Sequence, residues 1–186
     1  MVEPSMRYIA FLRAINVGGH NVKMEHLRKL YEALGFTNVE TFIASGNVVF
    51  ETNIADPKPL EKKIEEHLQV ALGYPVATFL RTPAELAAIS GYQAFPVASL
   101  ETAQALNVAF ISEVIDEHQI QKLIARKTEI DDFHVHQREI YWLCKQKQSD
   151  STFSNVVLEK TIGQKATMRG IQTLRKMAEK YAAFTG

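Results

Sequence analysis

The sequence predicts an α+β protein in two halves, βαββαβ followed by βαββαα, each an antiparallel sheet with helices on one face. Three observations predict this. Short runs rich in β-branched and aromatic residues alternate with stretches of helical period from residue 7 onward. The order strand, helix, strand, strand, helix recurs after residue 105, with no visible sequence repeat. Between the two, over residues 91–105 (GYQAFPVASLETAQA), periodicity lapses around a Gly and a Pro. The predicted layout is therefore a subdomain over 1–90, a linker over 91–105 and a second subdomain over 106–186.

Each element has a local cause. Residues 7–15 (RYIAFLRAI) form the first strand. A helix over 24–34 carries Leu27, Leu30, Tyr31 and Leu34 on one stripe, and Gly35 stops it. Strands over 39–44 and 47–52 flank a Ser-Gly turn. The helix over 59–72 places Leu60, Ile64, Leu68 and Leu72 at steps of four, with Asp56 near its start and Gly73 after its end. A fourth strand covers 76–80, and Thr82-Pro83 opens a short helix.

In the second half, a strand over 106–111 precedes a helix over 117–126 with Ile120, Leu123 and Ile124 inward. Strands over 132–136 and 139–145 meet at Gln137-Arg138, a helix over 152–161 ends near Gly163, and a last helix covers 168–183. Along the first strand Tyr8, Ala10 and Leu12 share one face and Ile9 and Phe11 the other, so both faces are expected to be covered. Helices cover the first face. The second half or another subunit is expected on the other, so that the halves pack as one body.

Composition narrows the classes. A chain of 186 residues, 46% of them apolar, suffices for a sizeable core. Lys+Arg and Asp+Glu both number 21, and this zero net charge argues against broad attraction to nucleic acid or a membrane surface. Cys144 is the only cysteine, so no intrachain disulfide forms, and its place in IYWLC suits an inert core thiol. Neither a leader nor an apolar run long enough to span a bilayer is visible, which points to a cytoplasmic protein. Residues 1–5 (MVEPS) carry no pattern, and Met6 is an alternative start.

Right-handed crossovers order a βαββαβ sheet 4-1-3-2, so the end of the first strand meets the beginning of the third. Arg13 and Asn16 then approach Ser45, Gly46 and Asn47, while Gly18-Gly19 leads into a helix N-terminus that favours an anion. Arg13, His20 and Lys23 supply charge, and Asn16, Asn21 and Asn47 suit a polar ligand. The competing reading makes Gly18-Gly19 a turn requiring positive φ and Ser45-Gly46-Asn47 a hairpin turn. Gly18-Gly19 matches neither the phosphate-binding Walker loop nor the dinucleotide fingerprint.

Arg169 is placed in the first turn of the last helix, where a cation opposes the dipole, so it either holds an anion or pairs with a glutamate. His134 and His136 share a strand face, but no third ligand stands at metal-site spacing and no metal or cofactor is called for. No nucleophile–base pair is legible.

The run Leu12–Gly19 (LRAINVGG), the helix start Met24–Arg28 (MEHLR) and Ser45–Phe50 (SGNVVF) closely resemble the signature of a bacterial family called domain of unknown function 1697. Tyr141-Trp142 and the stretch 165–174 extend the likeness; Arg169 and Thr173 match there, whereas the family's Asn and Trp are replaced by Gly170 and Ile171. The resemblance implies an α+β fold of two ferredoxin-like halves and assigns no activity. The leading functional expectation is a module binding a small anionic or polar ligand at Arg13, Asn16, Gly18, Gly19, His20, Asn21, Lys23, Ser45 and Asn47, with Arg169 a further candidate. The alternatives are a single-stranded nucleic-acid binder, an enzyme of unidentified reaction, and a homo-oligomeric interaction protein.

Overall fold

The computed structural model describes residues 4–16, 19–43 and 46–181. The chain forms two compact units, one built on its first 87 residues together with the end of the last helix from Met177, the other on Ala88–Lys176.

The first unit contains β1 (Met6–Leu12), α1 (Met24–Glu32), β2 (Thr37–Thr41), β3 (Asn47–Thr52), α2 (Pro57–Leu72) and β4 (Thr78–Arg81), after which α3 (Pro83–Gly91) follows. Its sheet is antiparallel with the order β2-β3-β1-β4, as the crossover rule predicts. The two-residue side-chain period then sorts the core. Tyr8, Ala10, Leu12, Val48, Phe50 and Leu80 face Leu27 and Tyr31 of α1 and Leu60, Ile64 and Leu68 of α2. Each of the Leu, Ile, Val and Phe side chains among them contributes about 1.5–3 kcal/mol by leaving water. Helix α2 starts where Asp56 accepts from the Lys58 N–H at 3.2 Å and stops at Gly73, whose φ of 84° only glycine adopts readily.

The second unit holds α4 (Val97–Thr102), β5 (Ala105–Phe110), α5 (Glu117–Ile124), β6 (Asp131–His136), β7 (Glu139–Cys144), α6 (Asn155–Ile162), β8 (Thr167–Gly170) and the start of α7 (Ile171–Tyr181). The strand order β6-β7-β5-β8 repeats that of the first sheet. Ala109, Ile111, Ile140 and Trp142 pack with Leu123, Leu158 and Ile162 from the helices. The two halves are thus similar, consistent with a duplicated ferredoxin-like arrangement.

Two elements correct the sequence reading. Residues 167–170 form a strand against β5, not the first turn of the last helix, so the second half is βαββαβ followed by α7. Four residues are too few to show a strand period, and the helical spacing of Ile171, Leu174, Met177 and Tyr181 masks them. The stretch read as linker contains α4. Among the described residues no helix is long and apolar enough to cross a membrane.

Candidate functional site

The loop between β1 and α1 gathers most of the expected polar residues. After β1 the Arg13 N–H donates to the Ala77 carbonyl at 2.9 Å, so the chain runs on beside the start of β4 before it turns. Ala14 makes that turn at a φ of 55°, a left-handed value that strains a residue with a Cβ. Two apolar anchors, Ile15 and Val22, hold the ends of the loop in the first core.

Polar contacts fix Asn16 and His20 between the anchors. The Asn16 side-chain oxygen accepts from the Val22 N–H at 2.8 Å, closing the loop on itself. His20 stacks on Tyr74 with ring centroids 3.7 Å apart, and the Tyr74 hydroxyl donates to the Ile15 carbonyl at 3.1 Å. Burial raises the Tyr74 phenol above its ordinary pKa, so it remains a donor. Gly19, His20, Asn21 and Lys23 are exposed and Arg13 is half-buried. Lys23 is the N-cap of α1, with extended backbone and no side chain capping the helix. Glu25 in the first turn is drawn off by Arg28, whose Nε lies 3.2 Å from Oε2.

The β2–β3 turn reaches the same end of the sheet. The Leu12 N–H donates to the Gly46 carbonyl at 2.9 Å, and Phe11 stands opposite Asn47. The first and third strands therefore meet as expected. Asn47, however, is 1% exposed, and its Nδ2 donates to the Phe42 carbonyl at 2.9 Å while the Phe42 N–H donates back to the Asn47 carbonyl. Its amide braces the turn from inside. Gly18 and Ser45 lie outside the described residues.

Arg169 belongs to the second unit and sits in β8, not at a helix start. It is 7% exposed, and its Nη1 donates to Thr167 Oγ1 at 2.7 Å and to the Met168 carbonyl at 2.8 Å. Burial pushes its pKa down to about 10. His134 and His136 do share a face: Tyr92 stacks on His136 at 4.0 Å, and its hydroxyl lies 2.9 Å from His134 Nε2. Burial first, then the neighbouring His136, lowers the His134 pKa. Among the described residues no group of three or more metal-ligating side chains gathers.

Sequence reasoning missed a cleft of about 380 Å³ in the second unit, lined by the end of α4, the start of β5 and the first turns of α7. Its polar residues include Asn107, Thr173 and Arg175. The only signal for it was the boundary between residues 170 and 171, which the helix assignment erased.

A family model described as a protein of unknown function (DUF1697) matches residues 6–141. The fold is similar to that of a solved structure described as a conserved bacterial protein from Streptococcus pneumoniae. The TM-score is 0.74 and the identity 23%, over 95% of this chain and 98% of that one. No curated protein matches.

Proposed function

Because this chain belongs to the DUF1697 family, whose description assigns no activity, we propose from its geometry that it binds a small anionic or polar ligand at the β1–α1 loop. The observation that carries the reading is the start of α1, where Lys23 stands as N-cap and, among the described residues, no side chain accepts from the first-turn N–H groups. Most helices cap that turn with Ser, Thr, Asp or Asn. Here a cation stands in its place, so the helix end keeps both its positive dipole and its unpaired donors for an external anion. Arg13 and His20 lie on the same loop, where the His20–Tyr74 stack and the Asn16–Val22 hydrogen bond hold Asn16, His20 and Val22 in place. Side chains already held in place lose little entropy on binding.

Asn16 and Asn47 act as braces in this reading, which leaves Arg13, His20, Asn21 and Lys23 to touch the ligand. Calorimetric titration with inorganic phosphate and with a simple dicarboxylate tests it. Saturable binding by the native chain, weakened about tenfold or more in Arg13→Ala, is expected, since one charge-assisted contact is removed. Absence of binding, or equal binding by both proteins, rejects it.

A further inference from the structure

We propose that Tyr92, held between His134 and His136, is an acid-released latch that fastens the start of the second unit to β6. The chain enters this unit at Ala88, and the buried Ile89 and Phe95 anchor it on either side of Tyr92. Residues 92–94 have no regular secondary structure, so side-chain contacts decide where Tyr92 sits. Its ring lies on the His136 ring at 4.0 Å with 13° between the planes, and its hydroxyl is 2.9 Å from His134 Nε2. Tyr141 completes the seat. Its ring centroid is 5.5 Å from that of Tyr92, and its hydroxyl donates to the Ile89 carbonyl at 2.8 Å.

Both β6 partners of Tyr92 are half-buried imidazoles, the side chains whose charge changes near neutral pH. A neutral His134 accepts the phenol proton at Nε2, whereas the imidazolium carries a proton on each nitrogen and can only donate. Acid therefore makes the Tyr92 hydroxyl turn round or leave. When both rings are protonated, two cations share one strand face and repel each other.

The other titratable groups on this face are Asp132 on β6, Tyr141 opposite His134 on β7, and Glu139 opposite His136, with Arg138 in the turn beyond. Asp132 favours the His134 cation, but Lys127 also engages that carboxylate, at 3.3 Å. Burial and the neighbouring His136 outweigh it and hold the His134 pKa below the ordinary 6.5. Once Tyr92 swings away, water reaches both rings and they take up protons freely. Below pH 6.5 the open form thus binds more protons than the closed one, and the latch loses stability as pH falls.

Nitrogen relaxation dispersion of the full chain, read at residues 91–95, measures the population of the open form. It should rise about five- to tenfold from pH 7.5 to pH 5.5, the range that one imidazole of ordinary pKa supplies. His134→Gln keeps an acceptor for the Tyr92 hydroxyl but takes no proton, and should remove most of that rise. Tyr92→Phe keeps the stack and deletes the hydroxyl, so the His134 ring resonances should titrate at higher pH than in the native chain. A tyrosine that only packs would leave that midpoint where it was. The proposal is overturned if no open form grows in at pH 5.5, if it grows equally in His134→Gln, or if the His134 midpoint is unchanged in Tyr92→Phe.

Discussion

Arg81 and Arg169 occupy the same register in the two sheets: Arg81 stands opposite Ile9 on β1, and Arg169 opposite Val108 on β5. Each donates through Nη1 to the carbonyl of the residue before it, Leu80 at 2.9 Å and Met168 at 2.8 Å. The matched strands carry Ile9-Ala10-Phe11-Leu12 and Val108-Ala109-Phe110-Ile111, an echo that becomes visible once the registers are known. Arg169 is therefore the counterpart of a buried strand arginine, and its position needs no helix-end anion to explain it.

Both arginines are 7% exposed or less, so their guanidinium groups are placed by the fold. Arg169 makes both bonds, to Thr167 and Met168, through Nη1; lysine presents a compact, more strongly hydrated ammonium that costs more to bury at this site. Arg169→Lys should lower stability by about 2–3 kcal/mol, and Arg81→Lys should act in the same direction. Urea denaturation measures this as a fall in midpoint with an unchanged slope. A native-like midpoint in both variants would contradict the matched roles.

The elements most legible in the sequence were those whose burial leaves a period. Leu60, Ile64 and Leu68 point α2 at the core, and the right-handed crossovers of a βαββαβ order made β1 and β3 neighbours on sequence grounds alone. β8 was illegible for the opposite reason. Its four residues abut α7 without a turn, so the stronger helical spacing absorbed them, and with them the cleft that depends on where α7 starts. The polar cluster near the β1–α1 loop was readable as a place, but not as roles. Whether Asn16 and Asn47 face a ligand or close their own turns is decided by side-chain torsions, which spacing does not encode.

Gly46 and Gly19 separate turn geometry from packing. Both have positive φ, 82° and 85°, but a Cβ on Gly46 would lie 2.8 Å from Ile15 Cγ2 and 3.2 Å from Leu12 Cβ, whereas one on Gly19 meets nothing within 4 Å. Gly19→Ala should cost about 1 kcal/mol of backbone strain. Gly46→Ala adds overpacking to that strain and should cost about 3 kcal/mol. Equal losses in thermal or urea unfolding would show that the β1 end and the β3 start are less tightly apposed than described.

Lys23→Asp tests whether α1 forgoes a cap in favour of an anion. The backbone at Lys23 is already extended, φ −65° and ψ 142°, so an aspartate there can accept from the first-turn N–H groups. The variant should be more stable by about 1 kcal/mol, which in a chain of this size raises Tm by about 2–4 °C. It should also lose phosphate binding, because a fixed carboxylate now fills the anion position. Greater stability with phosphate binding retained would move the ligand away from this helix.

Buried tyrosines set the alkaline limit of the fold. Burial raises the pKa of Tyr31, Tyr141 and Tyr181 above the ordinary 10.0. The folded chain then keeps protons that the unfolded chain releases, so this stabilisation is complete below about pH 10 and is lost as pH rises further. Arg169 acts in the opposite sense: its folded pKa of about 10 lies below the ordinary 12.5, so above pH 10 the folded state binds fewer protons there and gains stability. With the tyrosines outnumbering Arg169, the urea midpoint should fall above pH 10, and tyrosinate absorbance should appear together with unfolding. Tyr31 offers the sharpest variant, because its buried hydroxyl has no hydrogen-bond partner among the described residues. Tyr31→Phe should raise stability at neutral pH by about 1 kcal/mol through loss of that unpaired group. It should also flatten the decline above pH 10, since one of the titrating phenols is gone. A destabilised Tyr31→Phe protein would mean that the hydroxyl has a partner within the first core.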